Sequence, residues 1–196
     1  VLEASMKAKD EDPRVRRYLV LALANTRSSQ AVAPLIKAAK MGDQETRLFA
    51  LGGLARIKAV ESEALFVEGL SDADPSIRSV CAFGLGALPG TGGIAQLDDL
   101  LRDSVPEVRW NASLALARDQ DDSGKDILIQ LLDRSYLDKF PGLKPEDKAE
   151  LILNALRGLK YLKIGGLEQQ IEKLGQEDPD LRVRQAAKSW NTSDKS

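Results

Sequence analysis

Histidine is absent from all 196 residues. That one absence removes His-based triads, His-ligated metals and most general acid–base designs. Cysteine occurs once, at Cys81, so no disulfide forms within the chain. No apolar run approaches the roughly 20 residues of a membrane helix, and membrane insertion is not expected. A signal-peptide pattern is also missing, which makes the cytoplasm the expected compartment. The chain begins at Val1 rather than Met, however, so an upstream targeting segment is compatible with it. A globally basic surface is missing too: the net charge is −2, and no nucleic-acid partner is expected.

What is present is a folded, charged chain with an uneven distribution of sign. Apolar residues make up 43% and charged residues 30%, an ordinary globular composition. Residues 1–58 carry 11 basic and 6 acidic side chains, whereas residues 59–138 carry 6 basic and 15 acidic ones. Any partner chosen by charge therefore has to read a local patch.

The pattern Pro, any residue, a branched or leucine-type residue, then Arg keeps returning. It stands as PRVR at 13–16, PSIR at 75–78, PEVR at 106–109 and PDLR at 179–182, with a proline-less copy, QETR, at 44–47. The arginines Arg16, Arg47, Arg78 and Arg109 are each 31 residues apart, and the last gap, to Arg182, is 73. A period between 20 and 50 residues predicts a repeat architecture.

Within each unit the apolar residues recur at steps of three and four, as in Leu19, Val20, Leu23 and again in Val32, Leu35, Ala38, Ala39. Each repeat is thus predicted to be a pair of amphipathic helices, without strands. Asp12-Pro13, Asp74-Pro75 and Asp178-Pro179 supply an N-cap acceptor followed by a proline at the first helical position. The turn PGTGG at 89–93 ends one helix and precedes the next. Gly53 and Gly84 share a repeat position with Ala22 and Ala115, and Gly86 shares one with Ala24, Ala55 and Ala117. Recurrent glycine within helices predicts close helix contacts, because it otherwise costs roughly 1 kcal/mol relative to alanine. Cys81 falls at an inward position and is expected to be a buried structural thiol.

These units resemble HEAT repeats, specifically the short variety found in phycobilisome-lyase-like proteins. DPRVR, DADPSIR and SVPEVR carry the resemblance, each followed by a small-and-leucine helix such as CAFGLGAL or ASLALA. The resemblance implies an all-α, right-handed α-solenoid of stacked antiparallel helix pairs over residues 1–196, with second helices on the concave side. It implies that the repeating arginine bridges to acidic or carbonyl groups of the adjoining repeat. Residues 135–147 form an inserted loop expected to anchor itself with Tyr136, Phe140 and Leu143. Five helix pairs are expected, with unpaired helices at residues 1–9 and after Pro179, as though the chain were a fragment of a longer one.

No catalytic or cofactor-binding constellation emerges. GLGALPGTGG at 84–93 lacks the spacing of a phosphate loop and follows no strand. Asp119, Asp121 and Ser123 match the first half of a calcium loop, but Gln130 stands where its closing Glu belongs. The expected function is non-enzymatic: a scaffold binding another protein, or other domains of its parent chain. The alternatives are an accessory subunit of an enzyme, such as a chromophore-lyase partner, and a calcium-regulated module. The predicted concave columns are Lys37, Glu68, Asp99 and Gln130, and Lys40, Ser71, Arg102 and Asp133, with Asp98 beside them. Leu48, Phe83, Trp110 and Leu114 form either a second, convex apolar strip or side chains buried between adjacent first helices, and the exposure of Phe83 and Trp110 separates the two.

Overall fold

The computed structural model describes residues 12–89 and 94–190, among which there are twelve α-helices and no strand. In chain order they are α1 (Pro13–Asn25), α2 (Val32–Met41), α3 (Gln44–Ile57), α4 (Glu63–Gly69), α5 (Pro75–Ala87), α6 (Ile94–Leu100), α7 (Pro106–Arg118), α8 (Lys125–Leu131), α9 (Arg134–Leu137), α10 (Pro145–Tyr161), α11 (Glu168–Glu177) and α12 (Leu181–Trp190). The chain divides into two compact units, Val1–Ala115 and Leu116–Ser196. The helix order contains the five expected pairs, and α12 follows them as the last helix among the described residues. The proposed N-terminal helix at 1–9 and most of the 89–93 turn lie outside the described residues.

Two helix starts follow the predicted caps, at Asp12 and Asp74, and α3 has a third of the same kind at Asp43. The Asp12 carboxylate accepts the Arg14 N–H at 2.9 Å, Asp43 that of Thr46 at 2.9 Å, and Asp74 that of Ser76 at 2.9 Å. Each bond satisfies one of the donors that a helix N-terminus leaves unpaired. The helices are short, with α4 and α8 seven residues each, too short to persist alone. Stability therefore has to come from stacking.

In unit 1 the first helices stack on one another, α1 on α3 and α3 on α5, while α2 packs on α3 and α4 on α5. Val20, Leu35, Leu54, Phe66, Ile77 and Leu85 are fully buried between them. Each such side chain contributes roughly 1.5–3 kcal/mol of burial. Glycine and alanine alternate across the seam between first helices. A Cβ on Gly53 would stand 2.6 Å from the Ala24 Cβ, and one on Gly86 would stand 2.7 Å from the Ala115 Cα. Where one repeat offers alanine its neighbour offers glycine, so the backbones approach to a distance only that pairing permits.

Unit 2 stacks α8 on α10, α10 on α12 and α11 on α12. The segment 135–147 begins within the short helix α9 and runs as turns to α10. Tyr136, Phe140 and Leu143 are half-buried, with the Tyr136 and Phe140 rings edge to face at 5.3 Å. The deepest anchor is Leu137, which is fully buried and was not among the expected three. Lys148 ties the start of α10 to Asp138 with a 2.6 Å ion pair.

Cys81 is fully buried, and burial pushes its thiol up to about 12. Thiol reagents are expected to label it only after denaturant unfolds unit 1, because the thiolate is the reactive form. Rapid labelling of the native protein near pH 8 would place the side chain at the surface instead.

Candidate interaction surfaces

At Arg47 and Arg78 the recurrent arginine is a connector between repeats, and at Arg78 its two edges do separate jobs. Arg78 Nη1 donates to the carbonyls of Asp72 and Ala73, at 2.8 and 3.1 Å, in the loop before its own helix. Its Nε and Nη2 donate to both oxygens of Asp103, at 2.7 and 3.0 Å, in the corresponding loop of the next repeat. Asp103 also accepts the Val105 N–H at 2.8 Å, and Arg109 Nη1 sits on the Asp103 carbonyl at 2.7 Å. One repeat earlier, Arg47 Nη2 donates to Asp72 at 2.6 Å. The Arg78 guanidinium, and then the Val105 N–H, hold the Asp103 carboxyl below the usual range. For Asp72 the Asp74 N–H contributes most, ahead of Arg47. Fork-to-fork pairing of this kind is geometrically specific as well as strong.

In unit 2 the clasp corrects the sequence alignment. Arg134 Nε and Nη2 hold Asp178 at 2.7 and 2.8 Å, and Arg184 Nη1 donates to the Asp178 and Pro179 carbonyls. Asp178 therefore plays the part of Asp72 and Asp103, and Arg184 that of Arg78. The α12 cap is Asp180, which accepts the Arg182 N–H at 2.7 Å. Arg182, which the PDLR pattern selects, turns instead to Asp180 and Glu150. From Arg109 to Arg184 the gap is 75 residues, two periods and 13 more, the length of segment 135–147.

Above the Arg47–Asp72 clasp of unit 1 opens a cleft of about 500 Å³. Leu51 and Leu65 give it an apolar lining, and Lys40, Glu68 and Ser71 line it with charge and a hydroxyl. These three were predicted for the second-helix face, and all are exposed. Lys37, Asp99 and Arg102 are exposed as well, while half-buried Asp98 pairs with Arg102 at 3.5 Å. The cleft sits between consecutive second-helix segments, floored by the α3 side chains beneath them.

A family model for HEAT repeats matches residues 2–68 and 63–138. The chain belongs to the HEAT-repeat family. Among solved structures it is similar to an engineered protein, at 19% identity and TM-score 0.55, covering 95% of this chain and 93% of that one. It is also similar to a designed armadillo repeat protein, at 20% identity and TM-score 0.54, covering 96% and 97%. Both likenesses establish the helical-repeat fold and nothing finer. Comparison with curated proteins finds no match.

The other predicted residues of this HEAT-repeat chain fall in separate places. Gln130 is exposed on α8 of unit 2. Asp133 caps α9 through the Ser135 N–H at 2.9 Å and lines a cleft of about 470 Å³ with Arg134, Gln170, Lys173 and Glu177. Asp121 accepts the Ser123 N–H at 2.9 Å in a turn before α8, and Asp122 pairs with Lys125 at 2.8 Å. Asp121 and Ser123 thus stabilise a turn beside Asp119, and among the described residues no three carboxylate, Cys or His side chains gather around a metal position.

Of the two readings of the apolar strip, burial holds for Trp110. Trp110 is 2% exposed and so forms no part of an outer surface. Its repeat position lies along the seam between successive first helices, as Arg17 shows by reaching Asp43 and Glu45 at the start of α3. Leu48 and Leu114 are half-buried. Phe83, 41% exposed, remains, and with Pro75, Val80 and Val105 it lines a depression of about 440 Å³ between α5 and α7.

Proposed function

We propose that the chain is a non-enzymatic scaffold that binds an extended protein segment along the second-helix face of unit 1. The observation that carries this reading is the cleft over the Arg47–Asp72 clasp. It joins an apolar lining to exposed charges of both signs within one repeat step. A peptide's apolar side chain would cover Leu51 and Leu65, while its polar neighbours meet Lys40, Glu68 and Ser71. Such a division, an apolar centre with a polar rim, is what a specific peptide contact needs.

Selection of a random peptide library against the whole chain tests this. Selected peptides are expected to lose about tenfold or more in affinity on Glu68→Lys and on Lys40→Glu, as truncated charge pairs do. Phe83→Ser should leave them within about twofold. Peptides indifferent to both charge reversals and lost on Phe83→Ser would move the binding face to the α5–α7 depression.

A further inference from the structure

The clasps advance by a fixed step. Arg47 holds Asp72 and Arg78 holds Asp103, each 25 residues on. The same step from Arg16 ends at Met41. The caps confirm the register, since Met41 stands two residues before the capping Asp43, as Asp72 stands two before the capping Asp74. Met41 is 76% exposed, and a thioether is only a weak acceptor. Arg16 is half-buried, and among the described residues its guanidinium makes no hydrogen bond or ion pair. Lys37 and Lys40, exposed on α2, also make none among the described residues. Arg17 differs from Arg16 in being paired, with Asp43 and Glu45. Residues 12–58 carry nine basic and three acidic side chains, so among the described residues of this stretch no surplus of carboxylate compensates.

We infer that this incomplete clasp is a receptor for a carboxylate from outside the chain, an Asp or Glu side chain of the protein segment that lies along the second-helix face. Twice in the same unit, an arginine at this repeat position takes a carboxylate from the following loop. At the first repeat the clasp position holds Met41, and the one carboxylate of that loop, Asp43, is already taken by Arg17 and the Thr46 N–H. Two lysines on α2 add attraction of the same sign, and the neighbouring cleft over Leu51 and Leu65 accommodates the rest of the segment. The inference rests on the proposed use of this face and adds the chemistry of the occupant at its α1–α2 end.

Met41→Asp restores the missing carboxylate within the chain. It is expected to raise the thermal midpoint, as the internal clasp closes, and to weaken an acidic probe about tenfold by occupying its receptor. The probe is a short dye-labelled peptide of alternating Asp and Leu, titrated by fluorescence polarisation at low salt beside its Asn counterpart. Met41→Asn should leave the Asp peptide within about twofold, and so should Ala33→Asp, which adds the same charge to α2 outside the clasp register. Arg16→Gln should weaken the Asp peptide without raising the midpoint. Equal binding of the Asp and Asn peptides overturns the inference, as does a Met41→Asp variant that binds the Asp peptide like the parent. Inorganic phosphate binding through Arg16, with no preference for the Asp peptide, would show an anion site rather than a carboxylate receptor and overturn it also. Should library-selected peptides still depend on Lys40 and Glu68 while Met41→Asp changes nothing, the face is in use and the clasp reading alone fails.

Discussion

Replacing Gly84 by leucine is expected to destabilise unit 1 by about 3 kcal/mol, the upper range for overpacking a core. Helix propensity predicts the opposite sign, since leucine is favoured over glycine by somewhat under 1 kcal/mol within a helix. Geometry decides between them. A Cβ alone would stand 2.6, 2.7 and 2.8 Å from three atoms of the Phe66 ring, and that ring is fully buried with no route of retreat. Denaturant unfolding in a Trp190→Phe background, where buried Trp110 reports unit 1, measures the effect. Gly165→Ala serves as the control, because a Cβ there meets nothing within 4 Å. A neutral or stabilised Gly84→Leu variant would show that the α4–α5 contact is looser than described.

Removing the Asp178 carboxylate is expected to cost unit 2 about 3–5 kcal/mol, the range for stranding one member of a buried ion pair. The Asp178 side chain is 1% exposed, and Arg134, 22% exposed, gives it two charge-assisted bonds. Asp178→Ala leaves the guanidinium without that partner and frees the Asp180 N–H, which the carboxylate accepts at 2.9 Å. Combining Arg134→Met with Asp178→Ala should cost much less than the two single changes together, because no charge is then stranded. Glu150→Ala gives the contrast. Its pair with Arg182 is 51% exposed on both sides, where ion pairs contribute about 0–1 kcal/mol. Equal costs for Asp178→Ala and Glu150→Ala, measured by urea unfolding, would deny the clasp its place in the stack.

The repeat, the helix pairs, the close glycines and the caps at Asp12 and Asp74 were legible in the sequence, because each depends on residues fewer than about 14 apart or on their exact recurrence. Cys81 was read as buried for the same reason. The reading failed where partners lie far apart in the chain. PDLR mimics the motif at 179–182, yet the clasp register is set by Asp178, whose partner Arg134 is 44 residues away. Val183, fully buried like Ile77, was the available signal that the register had shifted by two. Trp110 kept two readings because helical periodicity separates inward from outward but does not separate the outer surface from a seam between neighbouring first helices. The Asp119–Ser123 stretch kept two readings because a turn and half a calcium loop use the same residues. Lys40, Glu68 and Ser71 came out on one cleft because repeat phase, once right, aligns second-helix positions as well.

The proposed binding face is tested most directly by nuclear magnetic resonance. A library-selected peptide is titrated into the ¹⁵N-labelled chain, and the amide shifts are mapped residue by residue. Binding along the second-helix face of unit 1 predicts shifts at Lys37, Lys40, Leu65, Glu68 and Ser71, with Ser76, Val80, Phe83 and Glu107 unmoved. Shifts confined to that second set, leaving Lys40 and Glu68 in place, would contradict it.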